Sequence, residues 1–198
     1  MPSRHAAGEA GESRKCRSVA PPKIGSAEWH MPVDFLSLFA LLNARQVRYV
    51  LVGGLAVVLH GIDRITADID LALDLGAESV GETVKALLDA GLRPMLPVDA
   101  MQLADPAIRR VWHEQRGMQV FSFWDPTHSR PSIDIFVESP IAFAELWRDA
   151  VEICLDDIAL HVASVPHLIA LKRISGRPQD LADIERLLTL RPPSKAQD

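Results

Sequence analysis

The sequence offers little from which to build a cross-linked or metal-stapled scaffold. Its 198 residues include two cysteines, Cys16 and Cys154. There is no C-x-x-C pair, and the seven histidines lack zinc-binding spacing. Two cysteines do not make a disulfide framework, and Cys16 falls in a segment that reads as a tail. Such usage fits a reducing, cytoplasmic setting. No apolar run approaches the ~20 residues that span a bilayer, and no internal repeat is visible. A basic excess is also missing, since formal net charge is −5. Residues 1–30 carry five Lys/Arg and three Asp/Glu, which leaves the rest at −7. An acidic body argues against non-specific coating of nucleic acid. It leaves room for one RNA end docking on a local basic patch.

What the chain does have is 48% hydrophobic residues, enough for one domain with a real core. Residues 1–30 are rich in Ala, Gly, Ser, Pro and charge without apolar periodicity, and are expected to be disordered. They lack the apolar segment of a secretory signal. Met31 opens the part expected to fold and is a candidate start of the native chain. The folded domain is expected over residues 31–191, with 192–198 a frayed tail.

The organising stretch is Tyr49–Asp74, YVLVGGLAVVLHGIDRITADIDLALD. Tyr49–Val52 reads as a buried strand. Gly53 and Gly54 then turn the chain into a short helix over Leu55–His60 that ends at Gly61. Asp68–Asp74 alternates strictly, with Ile69, Leu71 and Leu73 on one face and Asp68, Asp70, Ala72 and Asp74 on the other. Two carboxylates side by side on one strand face repel and call for a counter-charge. Mg²⁺ is a natural one, held by carboxylates together with phosphate oxygens and water. The glycine turn lets backbone approach a ligand closely, and the following N–H groups suit an anion. Turn and Asp pair together suggest a site for NTP and Mg²⁺. An ordinary turn before a solvent-facing strand edge is the simpler alternative.

Amphipathic spacing predicts helices over Val33–Ala44 and Ala77–Ala90. A short strand is expected at Leu92–Leu96, and a helix over Asp99–Gln115, broken near Pro106. Arg109, Arg110 and Arg116 make that helix locally basic, either as a solvated face or as a nucleotide or RNA contact. Met118–Trp124 and Ser132–Glu138 read as a hairpin. On its second strand Ile133, Ile135 and Val137 share one face, while Asp134, Phe136 and Glu138 share the other. A helix at Ile141–Ala150 and a hairpin around Asp156-Asp157 follow. Pro166–Ser175 and Asp180–Leu190 read as a helical pair broken by Gly176-Arg177-Pro178.

Val52-Gly53-Gly54 followed by Asp68-Ile69-Asp70-Leu71 resembles the signature of DNA-polymerase-β-like nucleotidyltransferases. With His60-Gly61, Arg64 and Thr66, and with Leu171-Lys172-Arg173, Gly176-Arg177-Pro178, Asp180-Leu181 and Asp183-Ile184, the chain resembles the AbiEii-type minimal nucleotidyltransferases, many of them toxins. The likeness covers roughly Phe35 to Leu190. It implies an α/β (α+β) nucleotidyltransferase fold: a mixed twisted sheet, helices mainly on one side, and a C-terminal helical pair over the cleft.

By the same resemblance, Asp68 and Asp70 hold two Mg²⁺ ions and Asp134 completes the hydroxyl-side metal. Gly53 and Gly54 receive phosphate. Lys172 contacts the triphosphate with Asp180 or Asp183 nearby, and Arg64 and Thr66 add a phosphate or acceptor contact. Gly54 stands where many relatives have serine, so a side-chain hydroxyl is missing there. The simpler reading of Lys172 is a surface Lys–Asp pair fastening two helices, worth under ~1 kcal/mol. The implied reaction moves an NMP from an NTP to a hydroxyl on tRNA, a protein or a small molecule. The implied partner is a cognate antitoxin; no membrane is involved. A non-catalytic nucleotide-binding module with the same fold is the alternative.

Overall fold

The computed structural model describes residues 17–18 and 35–190. Strand β2 (Tyr49–Val52) is buried along its whole length because strands flank it on both sides. It pairs antiparallel with β3 (Asp68–Leu73) and parallel with β8 (Ile158–Val162). Outward from β3 come β6 (Ser132–Phe136, parallel), β5 (Val120–Trp124, antiparallel) and β4 (Arg93–Pro94, antiparallel). Outward from β8 come β7 (Val151–Leu155, antiparallel) and β1 (Arg17–Ser18, parallel to β7). The result is one mixed eight-stranded sheet in the order β1-β7-β8-β2-β3-β6-β5-β4.

Seven helices accompany it among the described residues: α1 (Phe35–Ala44), α2 (Gly53–Leu59), α3 (Ala77–Asp89), α4 (Pro106–Arg116), α5 (Phe143–Arg148), α6 (Val165–Ser175) and α7 (Pro178–Leu188). The α1 stripe of Phe35, Leu38, Phe39 and Leu42 is buried, with Phe39 5.3 Å from the Tyr49 ring. Helix α2 packs on β3 and α6, and α6 packs on α7. The C-terminal pair is thereby carried, through α2, to the central β2–β3 strands of the sheet. No helix among the described residues is long and apolar enough to cross a membrane.

Several expectations change in detail. The two glycines do not precede α2; they form its first residues. The helix expected over Asp99–Gln115 is two pieces. Asp99 caps a 3₁₀ turn at Ala100–Ala104, and Asp105 starts α4 by accepting from Ala107 N at 2.8 Å, with Pro106 at the first helical position. Arg109 is neither a solvated residue nor a nucleotide contact. It is buried and donates to Leu103 O at 2.6 Å and Leu75 O at 2.9 Å, bracing α4 against the chain before α3.

The reading of the cysteines also needs correction, because Cys154 is disulfide-bonded. Spacing along the chain could not show this: Arg17–Ser18 reaches β7 only through the parallel pairing of Arg17 with Ile153 and Ser18 with Cys154. Beyond those two residues, the disorder expected of 1–30 and the tail expected at 192–198 lie outside the described residues.

Candidate active site

At the end of β2 the backbone of Gly53 has φ 65°, a conformation that side-chain-bearing residues rarely adopt. Space makes the same demand. A Cβ on Gly53 would stand 2.8 Å from Asp70 Cβ and closer still to its carboxylate. Asp70 therefore rests on the turn and accepts a hydrogen bond from Gly54 N–H. The glycine turn and the Asp strand form one local unit.

Strands β3 and β6 run parallel with Asp68 beside Ser132 and Asp70 beside Asp134. Strand alternation buries Ile69, Leu71, Ile133 and Ile135 on one face and leaves the three aspartates on the other. Each carboxylate has its own hydroxyl or amide partner. Ser132 Oγ donates to Asp68, Gly54 N–H to Asp70, and Ser122, facing Asp134 from β5, to Asp134. Among the described residues, no group of three or more His, Cys, Asp or Glu is gathered closely enough to hold a metal ion.

The carboxylates nevertheless act on one another. Burial pushes Asp70 up to about 6; the charges of Asp134 and Asp68 add to the rise, while the Gly54 bond and the Lys172 charge oppose it. Asp134 is raised as well, first by burial and then by Asp68, against the Ser122 bond and the charge of Arg177. Carboxylates held above their usual range accept protons more readily than free ones and suit general-base work.

Lys172 is not the surface residue of the simpler reading, being 5% exposed. Its Nζ donates to Asp183 Oδ2 at 2.6 Å and to Asp180 Oδ1 at 3.1 Å. Arg64 Nη1 reaches the same Asp183 oxygen at 2.7 Å. Burial alone would raise Asp180; the bonds from Ser175 and Lys172, with the Lys172 charge, hold it below its usual range. A left-handed Gly176 ends α6, and Pro178 opens α7 two residues later. That tight turn brings Asp180 and Asp183 to Lys172 and sets Arg177 within electrostatic reach of Asp134.

Residues 37–198 match the family described as nucleotidyl transferase AbiEii toxin, Type IV TA system. The chain belongs to this AbiEii family. It is thus a nucleotidyl-transfer enzyme, which displaces the non-catalytic alternative. Solved structures agree on the fold. The lincosamide antibiotic adenylyltransferase LnuA is 18% identical with a TM-score of 0.54, over 80% of this chain and 96% of that one. The antibiotic-resistance factor ANT(2'')-Ia is 15% identical with a TM-score of 0.52, over 80% and 85%. An antigenic nucleotidyltransferase-like protein from Paracoccidioides brasiliensis is 16% identical with a TM-score of 0.52, over 83% and 78%. No curated protein sequence matches the chain.

Within this AbiEii domain, Gly53, Gly54, Asp68, Asp70 and Asp134 come together at the β2–β3–β6 junction. Lys172 and Asp180 lie on the adjoining helical pair, tied to the junction through Arg64 and Asp183. Thr66 stands over Gly54. Sequence reasoning treated Asp183 only as an alternative to Asp180, whereas it joins both cations. Arg177, Ser122 and Ser132 were missed. Arg177 had a signal, its place in the turn between two helices. The serines had none, because only strand register brings them to the aspartates.

Proposed function

We propose that this enzyme transfers a nucleoside monophosphate from an NTP to a hydroxyl acceptor, in an Mg²⁺-dependent reaction, as the toxin of a toxin–antitoxin pair. The observation that carries the reading is the register of Asp70 against Asp134, with the Gly53–Gly54 turn directly against Asp70.

The residues suit Mg²⁺. Three strand carboxylates of one sign feel each other's charge, and burial with that charge lifts Asp70 to about 6. A hard cation on oxygen donors relieves this crowding. Two of the three at a time, Asp70 with Asp68 or with Asp134, would hold such an ion, completed by phosphate oxygens and water, and it would supply charge stabilisation to the phosphates and the attacking oxygen. Gly53 and Gly54 let the phosphates approach the backbone. Lys172 and Arg64 set positive charge beside them, and Thr66 and Asp180 complete the rim.

In the reaction the acceptor oxygen bonds to the α-phosphorus while the bond from that phosphorus to the pyrophosphate oxygen breaks. Asp134, raised by burial, takes the acceptor proton. Pyrophosphate leaves with its charge met by Lys172. The family description supports a toxin role, hence a cellular acceptor such as tRNA or a protein and a cognate antitoxin partner. The two antibiotic-modifying neighbours share only the fold, and a small-molecule acceptor is the second choice. A reaction that consumes NTP belongs in the cytoplasm, where the Cys154 disulfide would meet reducing conditions. Incubation with each α-labelled NTP, Mg²⁺ and total cellular RNA tests the acceptor class: label entering a discrete RNA band supports tRNA. Label entering only protein or a small molecule shifts the acceptor accordingly.

A further inference from the structure

Helix α4 keeps part of its apolar stripe off the core. Trp112 is 3% exposed and stacks on Phe121, with ring centroids 5.3 Å apart. Its neighbour Val111 is 37% exposed. Ala107, Ile108, Val111, Trp112 and Arg116 recur at helical spacing and, with Val98, line a groove of about 430 Å³. Met95 and Leu96 are 59% and 40% exposed. They stand just ahead of Val98, whose N–H donates to Leu96 O at 2.8 Å. An apolar knob and an apolar groove thus lie side by side. Here the sheet ends: β4 is its last strand and two residues long, one of them Pro94. Proline cannot donate to a further strand, so this edge is unsuited to strand addition and the helix face is the better contact surface.

The charges of α4 say what fits that face. Exposed Asp105 caps its start through Ala107 N at 2.8 Å, and exposed Arg116 ends it without an ion pair among the described residues. Val111 is the middle residue of the helix. A second α4 laid antiparallel across Val111 brings Arg116 of each copy to Asp105 of the other, with the helix dipoles opposed. Contacts that return in both directions define a two-fold interface. The bonds of Arg109 to Leu103 O and Leu75 O hold α4 in place for this contact.

We propose that the chain forms a homodimer through α4, two copies crossing antiparallel at Val111, with Met95 and Leu96 of each copy seated in the groove of the other. The inference is independent of the nucleotide site.

The test is sedimentation equilibrium of the full chain from micromolar to submillimolar concentration, with circular dichroism to confirm that each variant is folded. The intact chain should dimerise reversibly. Val111→Asp sets two carboxylates against each other on the axis and should weaken the dimer by about a hundredfold or more. Arg116→Glu turns both end contacts repulsive and should weaken it by about tenfold. Asp105→Asn, which keeps the helix cap, should weaken it less. Leu188→Asp, at an exposed apolar residue on α7, should leave it unchanged. A short bismaleimide should link two copies of Val111→Cys but not of Arg110→Cys, one residue further round the helix and outside the groove; this arm stands even if Val111→Asp fails to fold. A chain that stays monomeric throughout overturns the proposal and leaves the groove to a different polypeptide. A dimer that survives Val111→Asp, breaks with Leu188→Asp, or links equally well at positions 110 and 111 overturns it too.

Discussion

Asp70 and Asp134 stand opposite each other on two parallel strands, and burial has raised the pKa of both. Neither is paired with an arginine or lysine at hydrogen-bonding distance among the described contacts. The nearest relief comes from Gly54 N–H for one and Ser122 for the other. This arrangement costs stability in the metal-free protein, a cost that the proposed Mg²⁺ would relieve.

The cost has a definite pH signature. Burial lifts Asp70 from the ordinary 3.8 to about 6, so between those values the folded state binds more protons than the unfolded one. Stability is therefore greatest below the unfolded value and falls as pH rises through about 6. Asp70→Asn removes the charge and should stabilise the metal-free protein at pH 7.5, by at most about 3 kcal/mol. Near pH 4 the two proteins should melt together. Thermal unfolding in chelator from pH 4 to 8 checks this; a variant less stable at pH 7.5 contradicts it.

The proposed Mg²⁺ affinity should follow the same titration in the opposite sense. Protonated Asp70 is a poor ligand, so calorimetric affinity for Mg²⁺ with NTP should fall as pH drops below about 6 and vary little from pH 7 to 8. An affinity independent of pH from 5 to 8 counts against Asp70 as a ligand.

Two glycines give a matched comparison. Gly53 and Gly61 both have positive φ, but a Cβ on Gly61 meets nothing within 4 Å, while one on Gly53 runs into Asp70. Gly61→Ala should cost only backbone strain, about 1 kcal/mol. Gly53→Ala should cost clearly more in urea unfolding and should also abolish NTP binding, because Asp70 must move. Equal losses for the two would show that the contact with Asp70 is unimportant.

Lys172 shows how the structure changes an energetic expectation. As a surface pair its loss would have been slight. With Lys172 and Asp183 5% and 2% exposed, removing Lys172 leaves the buried Asp183 charge served by Arg64 alone. Lys172→Met should therefore destabilise by about 3 kcal/mol, and the loss in Lys172→Met with Asp183→Asn should fall well short of the sum of the single losses. Strict additivity in denaturant unfolding would mean that the pair carries no coupling.

Much of this site was readable along the chain, for local reasons. Alternation placed Asp68 and Asp70 on one face, and the glycine pair after a β-branched run marked the turn. Asp134 was readable as an outward strand aspartate, since Ile133 and Ile135 had to face inward. What could not be read depends on partners far apart in sequence. Only the parallel β3–β6 register places Asp134 beside Asp70, and only folding the C-terminal pair onto α2 brings Asp183 to Arg64. Arg109 misled because a basic helix face looks solvated until carbonyls from Leu75 and Leu103 are seen to converge on it. The β1–β7 pairing was hidden in a segment whose composition resembles a tail.

The central claim is NMP transfer by a carboxylate-built site, and the fate of two labels tests it most directly. The intact chain is incubated with Mg²⁺, a cellular RNA and protein extract, and NTP labelled either at the α- or at the γ-phosphate. The account predicts that α-label enters a product, that γ-label leaves in pyrophosphate, and that both events vanish in Asp68→Asn and in Asp70→Asn while those variants remain folded. Transfer of γ-label to the product, or undiminished transfer of α-label by the two aspartate variants, would contradict it.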